Sequence, residues 1–400
     1  PENYGAAVNL NFRRQKFNFF ANYGFNLRTR PGFNELYQEF YRGDTTRIVD
    51  QTGDRERGGW SNNFRFGADY FFNDRNILTT AILYRISKGE NHTELEYRDF
   101  LRTGSQPPVA TGITRRTEDE DEDEPTLELD LNYKRTFERE GREWNTSLQV
   151  RASTEEENAR YEENFFTPQG LPTGAPLLEQ RGANKEAETS IILQSDYLHP
   201  FGEKGKFEAG YRGSLRHIDN NYLVEEWADD EWTTLAELSN DFNYDEYIHA
   251  VYAIVGNKPG RLSYQFGLRM ELSEVLTELL QTNEVNDRTY TNLFPSAHLT
   301  YELPGDNNVQ VSYTRRLRRP RFWDLNRFFT FADARNIFRG NPNLDPEFTN
   351  SFEIGHIKYW TKASISSSLY YRHSTGVIQR IQQLQEQDGE LITVRQPENL

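Results

Sequence analysis

The stretch Phe17-Asn18-Phe19-Phe20-Ala21-Asn22-Tyr23-Gly24-Phe25-Asn26-Leu27-Arg28 alternates. Phe17, Phe19, Ala21, Tyr23, Phe25 and Leu27 are apolar; between them stand Asn18, Asn22, Gly24, Asn26 and Arg28, with Phe20 the one exception. A β-strand turns successive side chains to opposite faces, so a period of two gives one apolar face and one hydrated face. The same reading holds for Phe64, Phe66, Ala68, Tyr70 and Phe72 against Arg65, Gly67 and Asp69. It returns in Leu127, Leu129, Leu131 and Tyr133 against Glu128, Asp130, Asn132 and Lys134, and in Trp144, Thr146, Leu148, Val150 and Ala152 against Asn145, Ser147, Gln149 and Arg151. A further case is Leu262, Tyr264, Phe266, Leu268, Met270 and Leu272 against Ser263, Gln265, Gly267, Arg269 and Glu271. Runs of roughly 9 to 12 residues have the length a strand tilted by about 45° needs to cross a bilayer.

The connections alternate as well. Short turns fall at Arg13 to Lys16, Asn73 to Asn76, Glu138 to Arg142, Pro200 to Lys206, Asn257 to Gly260, Pro304 to Asn308 and Thr361 to Lys362. Long polar segments lie between them, at 28–62, 88–124, 154–187, 218–243, 277–291, 320–348 and 373–400. Strands of soluble sandwiches average about 5 or 6 residues and show no such asymmetry of turns. Short turns on one side and long loops on the other are the arrangement of an outer-membrane barrel with its loops outside the cell. The chain is therefore expected to be all-β, a transmembrane antiparallel outer-membrane β-barrel with about 14 strands in residues 1–400 as a single domain. Tyr70, Tyr84, Tyr133, Trp144, Tyr197 and Trp360, near strand ends, fit the aromatic girdles of the two interfaces. In this strand count both termini fall on the long-loop side, so the chain is expected to be an internal piece of a longer barrel, with strands missing at both ends. Pro397, Glu398, Asn399 and Leu400 then read as the close of a loop.

Composition agrees with this picture. The 400 residues carry 46 basic and 62 acidic side chains, a formal charge of −16, and 14% are aromatic. Mean hydropathy is −0.85. No run approaches 18 apolar residues, which excludes a spanning helix, but barrel strands are apolar only at alternate positions and average out as polar. There are no cysteines, hence no disulfide framework and no thiolate metal site. An acidic chain lacks the basic footprint that nucleic acid requires.

Several constellations invite a chemical reading. Glu118 to Glu124 is an unbroken run of seven acids that could attract divalent cations, but it lacks the spaced Asp/Asn and fixed Gly of a folded Ca²⁺ loop. It is expected to be a solvated, mobile loop segment. Arg315, Arg316, Arg318, Arg319 and Arg321 would place alternate members toward the barrel interior, paired with plug or loop carboxylates. Asn341 to Pro346 reads as a structural turn leading into the next strand. The seven histidines show no His-Glu-x-x-His spacing, and there is no Gly-x-Ser-x-Gly elbow. Gly202 to Lys206 lacks the full phosphate-loop spacing. No enzyme, cofactor or metal site is expected. Loop aromatics that could stack on a ligand are Phe40, Tyr41, Tyr161, Phe165, Phe166, Trp227, Trp232, Phe328, Phe329 and Phe331.

One stretch carries a resemblance. Leu293-Phe294-Pro295-Ser296-Ala297-His298-Leu299 precedes a strand, a short turn and Val309 to Arg319. Then follow Arg318 to Asn326 (RRPRFWDLN) and, after a loop, Arg339 to Glu347 (RGNPNLDPE), a strand like Ser351 to Tyr359, another like Ser366 to Arg372, and Thr375 to Ile378. These residues resemble the barrel portion of TonB-dependent receptors, in the Bacteroidetes-type outer membrane protein β-barrel family. The resemblance implies a barrel of about 22 strands with a plug inside, of which this chain holds neither the plug nor a TonB box. It implies residence in the Gram-negative outer membrane and import of a scarce or large nutrient captured at extracellular loops. The implied partners are outer-membrane lipid, the TonB complex acting through the N-terminal region, a surface lipoprotein, and a small-molecule, glycan or peptide substrate. A non-transporting barrel serving as adhesin or lipoprotein scaffold, and an open-pore channel, are the competing readings.

Overall fold

A computed structural model describes residues 2–326, 330–333, 336–387 and 390–400. The strands in chain order are β1 (Glu2–Arg14), β2 (Phe17–Arg42), β3 (Thr45–Asn73), β4 (Asn76–Thr103), β5 (Val109–Thr136), β6 (Glu143–Phe166), β7 (Leu178–Phe201), β8 (Gly205–Ala228), β9 (Glu231–Thr234), β10 (Asn240–Asn257), β11 (Leu262–Leu279), β12 (Glu284–Leu303) and β13 (Asn307–Arg318). A single helical turn, α1 (Phe322–Leu325), comes next. After it come β14 (Thr330–Asp333), β15 (Asn336–Phe338), β16 (Glu347–Trp360), β17 (Ala363–Thr375), β18 (Ile378–Gln387) and β19 (Glu390–Asn399). The main sheet is an antiparallel meander of 14 strands, β1 to β8, β10 to β13, β16 and β17, with β9 pairing back on β8. That is the number the turn rhythm predicts, and the turns themselves fall at the predicted places.

Register follows the alternation. Phe17 stands opposite Tyr70, Tyr23 opposite Phe64, Phe64 opposite Tyr84 and Leu127 opposite Ala152, so apolar positions align in rows across strands. These side chains remain exposed: Phe66 58%, Leu127 51%, Leu268 52% and Ile354 55%. Alternation puts their polar neighbours on the other, inner face. The apolar rows extend from the short turns up to about Leu27, Trp60, Tyr84, Leu127, Ala152, Leu215 and Tyr247, a height suited to the hydrocarbon core. Among the proposed girdle residues, Trp144 and Trp360 are exposed near the short-turn ends and Tyr84 near the opposite limit.

Beyond that limit the long polar segments are largely paired strand. β2 to β8 are 24 to 29 residues long, so more than half of each strand stands above the apolar band. Outward-facing ion pairs tie the projecting strands together: Lys88 to Asp123 at 3.0 Å, Lys185 to Glu156 at 2.5 Å and Arg181 to Glu225 at 2.6 Å. Each exposed pair contributes little, about 0–1 kcal/mol, but the main-chain ladder beneath is continuous. The acidic run Glu118 to Glu124 is accordingly not a mobile loop. It lies within β5, with Glu118, Glu120, Glu122 and Glu124 turned inward and half-buried, and Asp119, Asp121 and Asp123 turned outward and exposed. The period-two alternation of Glu with Asp was present in the sequence; like charge concealed it. The segment 373–400 is also not a loop. It holds the end of β17 and the hairpin β18–β19, which joins β14 and β15 in a second, four-stranded sheet with β15 and β19 parallel.

Candidate ligand-binding face

The inner face carries two features above the apolar band: an inward-folded segment against β8 to β12, and a charged wall on β2 to β7. The first begins where β13 ends. Arg319 reaches past β12 to the inner side of β11, donating to Glu271 at 2.5 Å and to Ser273 at 2.8 Å, while Arg269 holds the other oxygen of Glu271. Pro320 and the turn of α1 then bring Phe322 against Phe242 and Tyr244 of β10, with ring centres 5.8 and 6.1 Å away. Phe322, Leu325 and Leu344 are 2%, 5% and 2% exposed, packed with Ile218, Val275, Leu279 and Ile378. Burying three such side chains contributes about 1.5–3 kcal/mol each.

Polar groups fix the register of this strap. Asn326 donates to Asn220 of β8 at 3.3 Å and accepts from Asn240 of β10 at 3.1 Å, and Asn220 donates onward to Asn184 of β7. The returning chain pairs with the outgoing one: Gly340 N–H donates to the Asn326 carbonyl and Asn341 N–H to the Asp324 carbonyl. A Cβ on Gly340 would lie 2.1 Å from the Asn326 carbonyl oxygen, so only glycine permits the approach. Asn341 Oδ1 accepts from Asn343 N–H, the Asx turn expected of Asn-Pro-Asn. The C-terminal hairpin closes over the strap through Arg380 to Asp324, Asn341 to the Pro397 carbonyl, and Asn399 to Asp345. Of the basic cluster, Arg318 pairs with Glu347, Arg319 with a wall carboxylate, and Arg315 lies over the Phe348 ring.

On the other part of the wall, charge is sorted by strand. Inward positions of β2 and β3 hold Arg28, Arg30 and Arg57, whereas those of β5 to β7 hold Glu118, Glu120, Glu122, Glu124, Glu155, Glu157, Glu186 and Glu188. Glu122 stands directly opposite Glu157, and Glu155 opposite Glu186. Burial and the neighbouring carboxylates push Glu155 and Glu157 up to about 7, and the same causes raise Glu122 and Glu186. Higher on the wall Arg116 is fully buried between Glu118 at 2.7 Å and Glu163 at 2.9 Å, over the Tyr161 ring at 4.5 Å. Burial alone would lower its pKa, but the two carboxylates hold it above the ordinary value. Among the described residues no group of His, Asp and Glu has the geometry of a metal site.

The aromatic candidates separate into different settings. Phe40 packs with Val49, Leu95 and Tyr97, and Tyr161 with Ala159, Tyr222 and Val224, so both are wall packing with little free ring surface. Tyr41 is 71% exposed and donates to Glu39. Phe165 and Phe166 end β6, with Arg115 over the Phe166 ring. Trp227 and Trp232 come together at 5.4 Å on the outer side, where Arg181 covers Trp232. Phe328 and Phe329 lie outside the described residues, and Phe331 falls in β14. Sequence reasoning put Arg28 on the polar face and singled out Glu122 within the acidic run, but missed Arg30 and Arg57; the alternation that starts at Phe17 continues through Arg30, and that of Phe64 to Phe72 continues back to Arg57.

Comparison with known proteins agrees with this geometry. The profile described as "Outer membrane protein beta-barrel family" matches residues 135–400. The copper transporter OprC superposes with a TM-score of 0.52 at 10% identity, covering 100% of this chain and 55% of its own. The ferric citrate transporter FecA in its unliganded form superposes with a TM-score of 0.50 at 10% identity, covering 94% of this chain and 51% of its own. The chain thus spans about half the length of these solved structures, and at such identity they share its fold. Among curated proteins no sequence relative matches.

Proposed function

Because the chain belongs to the outer membrane protein beta-barrel family, with the fold of outer-membrane transporters and a place in the Gram-negative outer membrane, we propose that it serves a receptor importing a scarce or large nutrient through the barrel interior. The observation that carries the reading is the strap made by Arg319 to Asn326 and the returning Gly340 to Pro346, anchored across the inner side of β8 to β12. A segment docked on the inner face narrows the path there, which suits a receptor that must retain its ligand. In this reading the projecting strands capture the ligand on their inner, charged face. The polar inner face gives a hydrated path. Energy comes from the TonB complex through a plug-bearing N-terminal region, and no catalysis is involved.

Planar-bilayer conductance of the full-length protein tests the proposal. A gated receptor leaves the bilayer almost silent, while a large steady conductance would identify an open pore and sink the import reading. A deletion strain grown with ferric citrate, copper or short peptides as the limiting nutrient should lose growth on at least one; unimpaired growth on all would favour a scaffold.

A further inference from the structure

The charged wall contains a slot that neither the fold nor the strap requires. Cross-strand register places four inner-facing residues in one row: Arg28 of β2, Gly59 of β3, Gly89 of β4 and Glu122 of β5. The rows on either side are Asn26, Ser61, Ser87 and Glu124, and Arg30, Arg57, Asn91 and Glu120. Two adjacent glycines thus clear a floor between a cationic and an anionic bank, and a cleft of about 390 Å³ opens over it. Gly59 has φ of +144°, and a Cβ there would lie 2.2 Å from the Lys88 carbonyl oxygen. A Cβ on Gly89 would lie 3.0 Å from a Glu122 carboxylate oxygen, so the bare floor is what lets Glu122 lean over it.

The banks act on each other only at a distance, Arg57 and Arg85 favouring the charge of Glu122 without touching it. Arg30 stands directly opposite Arg57, a like-charge pair that disfavours the sheet unless an anion joins it. Among the described residues neither of them, nor Arg28 or Glu122, has an ion pair or side-chain hydrogen bond. By contrast Glu124 is held by Ser87 and Arg85, and Glu120 by Asn91. A simple anion bound to the arginines would face Glu122 and Glu124; a simple cation at the glutamates would face the arginines. Strands are about 4.8 Å apart and Glu122 leans over Gly89, so its carboxylate stands two strand spacings, about 10 Å, from the Arg28 backbone. Peptide termini are at most about 3.6 Å apart per residue, so a chain of two or three residues fits between the banks.

We propose that this slot binds a zwitterionic short peptide, with its carboxylate at Arg28, Arg30 and Arg57 and its ammonium group at Glu122. The inference rests on the import reading only for its physiological meaning, because the test reads binding alone. Calorimetric titration of the full-length protein with tri-alanine should give binding, and N-acetylation or C-amidation of the peptide should each weaken it by roughly tenfold or more, the worth of a charged hydrogen bond. Arg28→Ala should abolish the effect of amidation and Glu122→Gln the effect of acetylation. The inference falls if tri-alanine does not bind, or if capped and free peptides bind alike. It also falls if inorganic phosphate competes fully and Glu122→Gln leaves binding unchanged, the behaviour of a plain anion site. The capped-peptide comparison uses the unaltered protein and decides the matter even if a variant fails to fold. Absent binding combined with lost growth of the deletion strain on a limiting nutrient would refute the slot and leave import standing.

Discussion

Replacing Phe322 by alanine isolates what the strap contributes. Phe322 is 2% exposed, its ring against Phe242 and Tyr244, and the wall residues around it belong to β8, β10 and β11, whose ladders hold them in place. The site therefore has little freedom to collapse, and Phe→Ala is expected to cost about 3–5 kcal/mol. That loss falls on the docked strap, not on the ladders, so the strap-open population should rise roughly a hundred- to a few-thousand-fold. Native-state hydrogen exchange reads this directly. The amides to follow are Asn326, Gly340 and Asn341, which donate to the carbonyls of Phe322, Asn326 and Asp324. Their exchange should accelerate by that factor, while amides in the β3 to β5 ladders keep their rates. Unchanged strap amides, or equal acceleration throughout the sheet, would refute the view that the strap is a separately docked unit anchored by this ring.

Two further outcomes follow. The chain has no cysteine, so single substitutions report facing: in intact membranes a membrane-impermeant maleimide should label Asp130→Cys on the inner face and leave Leu129→Cys unlabelled, and the opposite result would invert the assignment of faces. Glu155 and Glu157 sit at about 7 instead of the usual 4.5, so the stability they favour is fully present below about 4.5 and is lost as pH rises through 7. The melting temperature of the full-length protein should fall between pH 5 and pH 8, and Glu155→Gln with Glu157→Gln should flatten that fall; an equal fall in the double variant would refute the assignment.

Much of the fold was legible because its signal is local. Phe17 to Leu27 declares a strand, its lipid-facing side and its length, and the same pattern repeated to give 14 strands. The alternation was harder to see where both faces are polar. Glu118 to Glu124 hid two faces behind one charge, and the projecting halves of β2 to β8 read as loops because neither face offers an apolar marker. The segment Arg318 to Glu347 was legible as a motif, but its role was not: nothing near Phe322 in the chain announces that its partners are Phe242, Tyr244 and Val275.

By itself the sequence determined the all-β class, the membrane-facing side, the turn positions and the acidic character of the projecting strands. These depend on a period of two, which any strand imposes on its own side chains. The tertiary structure alone decided which residues meet. Arg28, Gly59, Gly89 and Glu122 fall into one row because register is set by pairing between strands, and Arg319 finds Glu271 because the chain folds back past β12 to β11. Neither relation has a counterpart in sequence spacing.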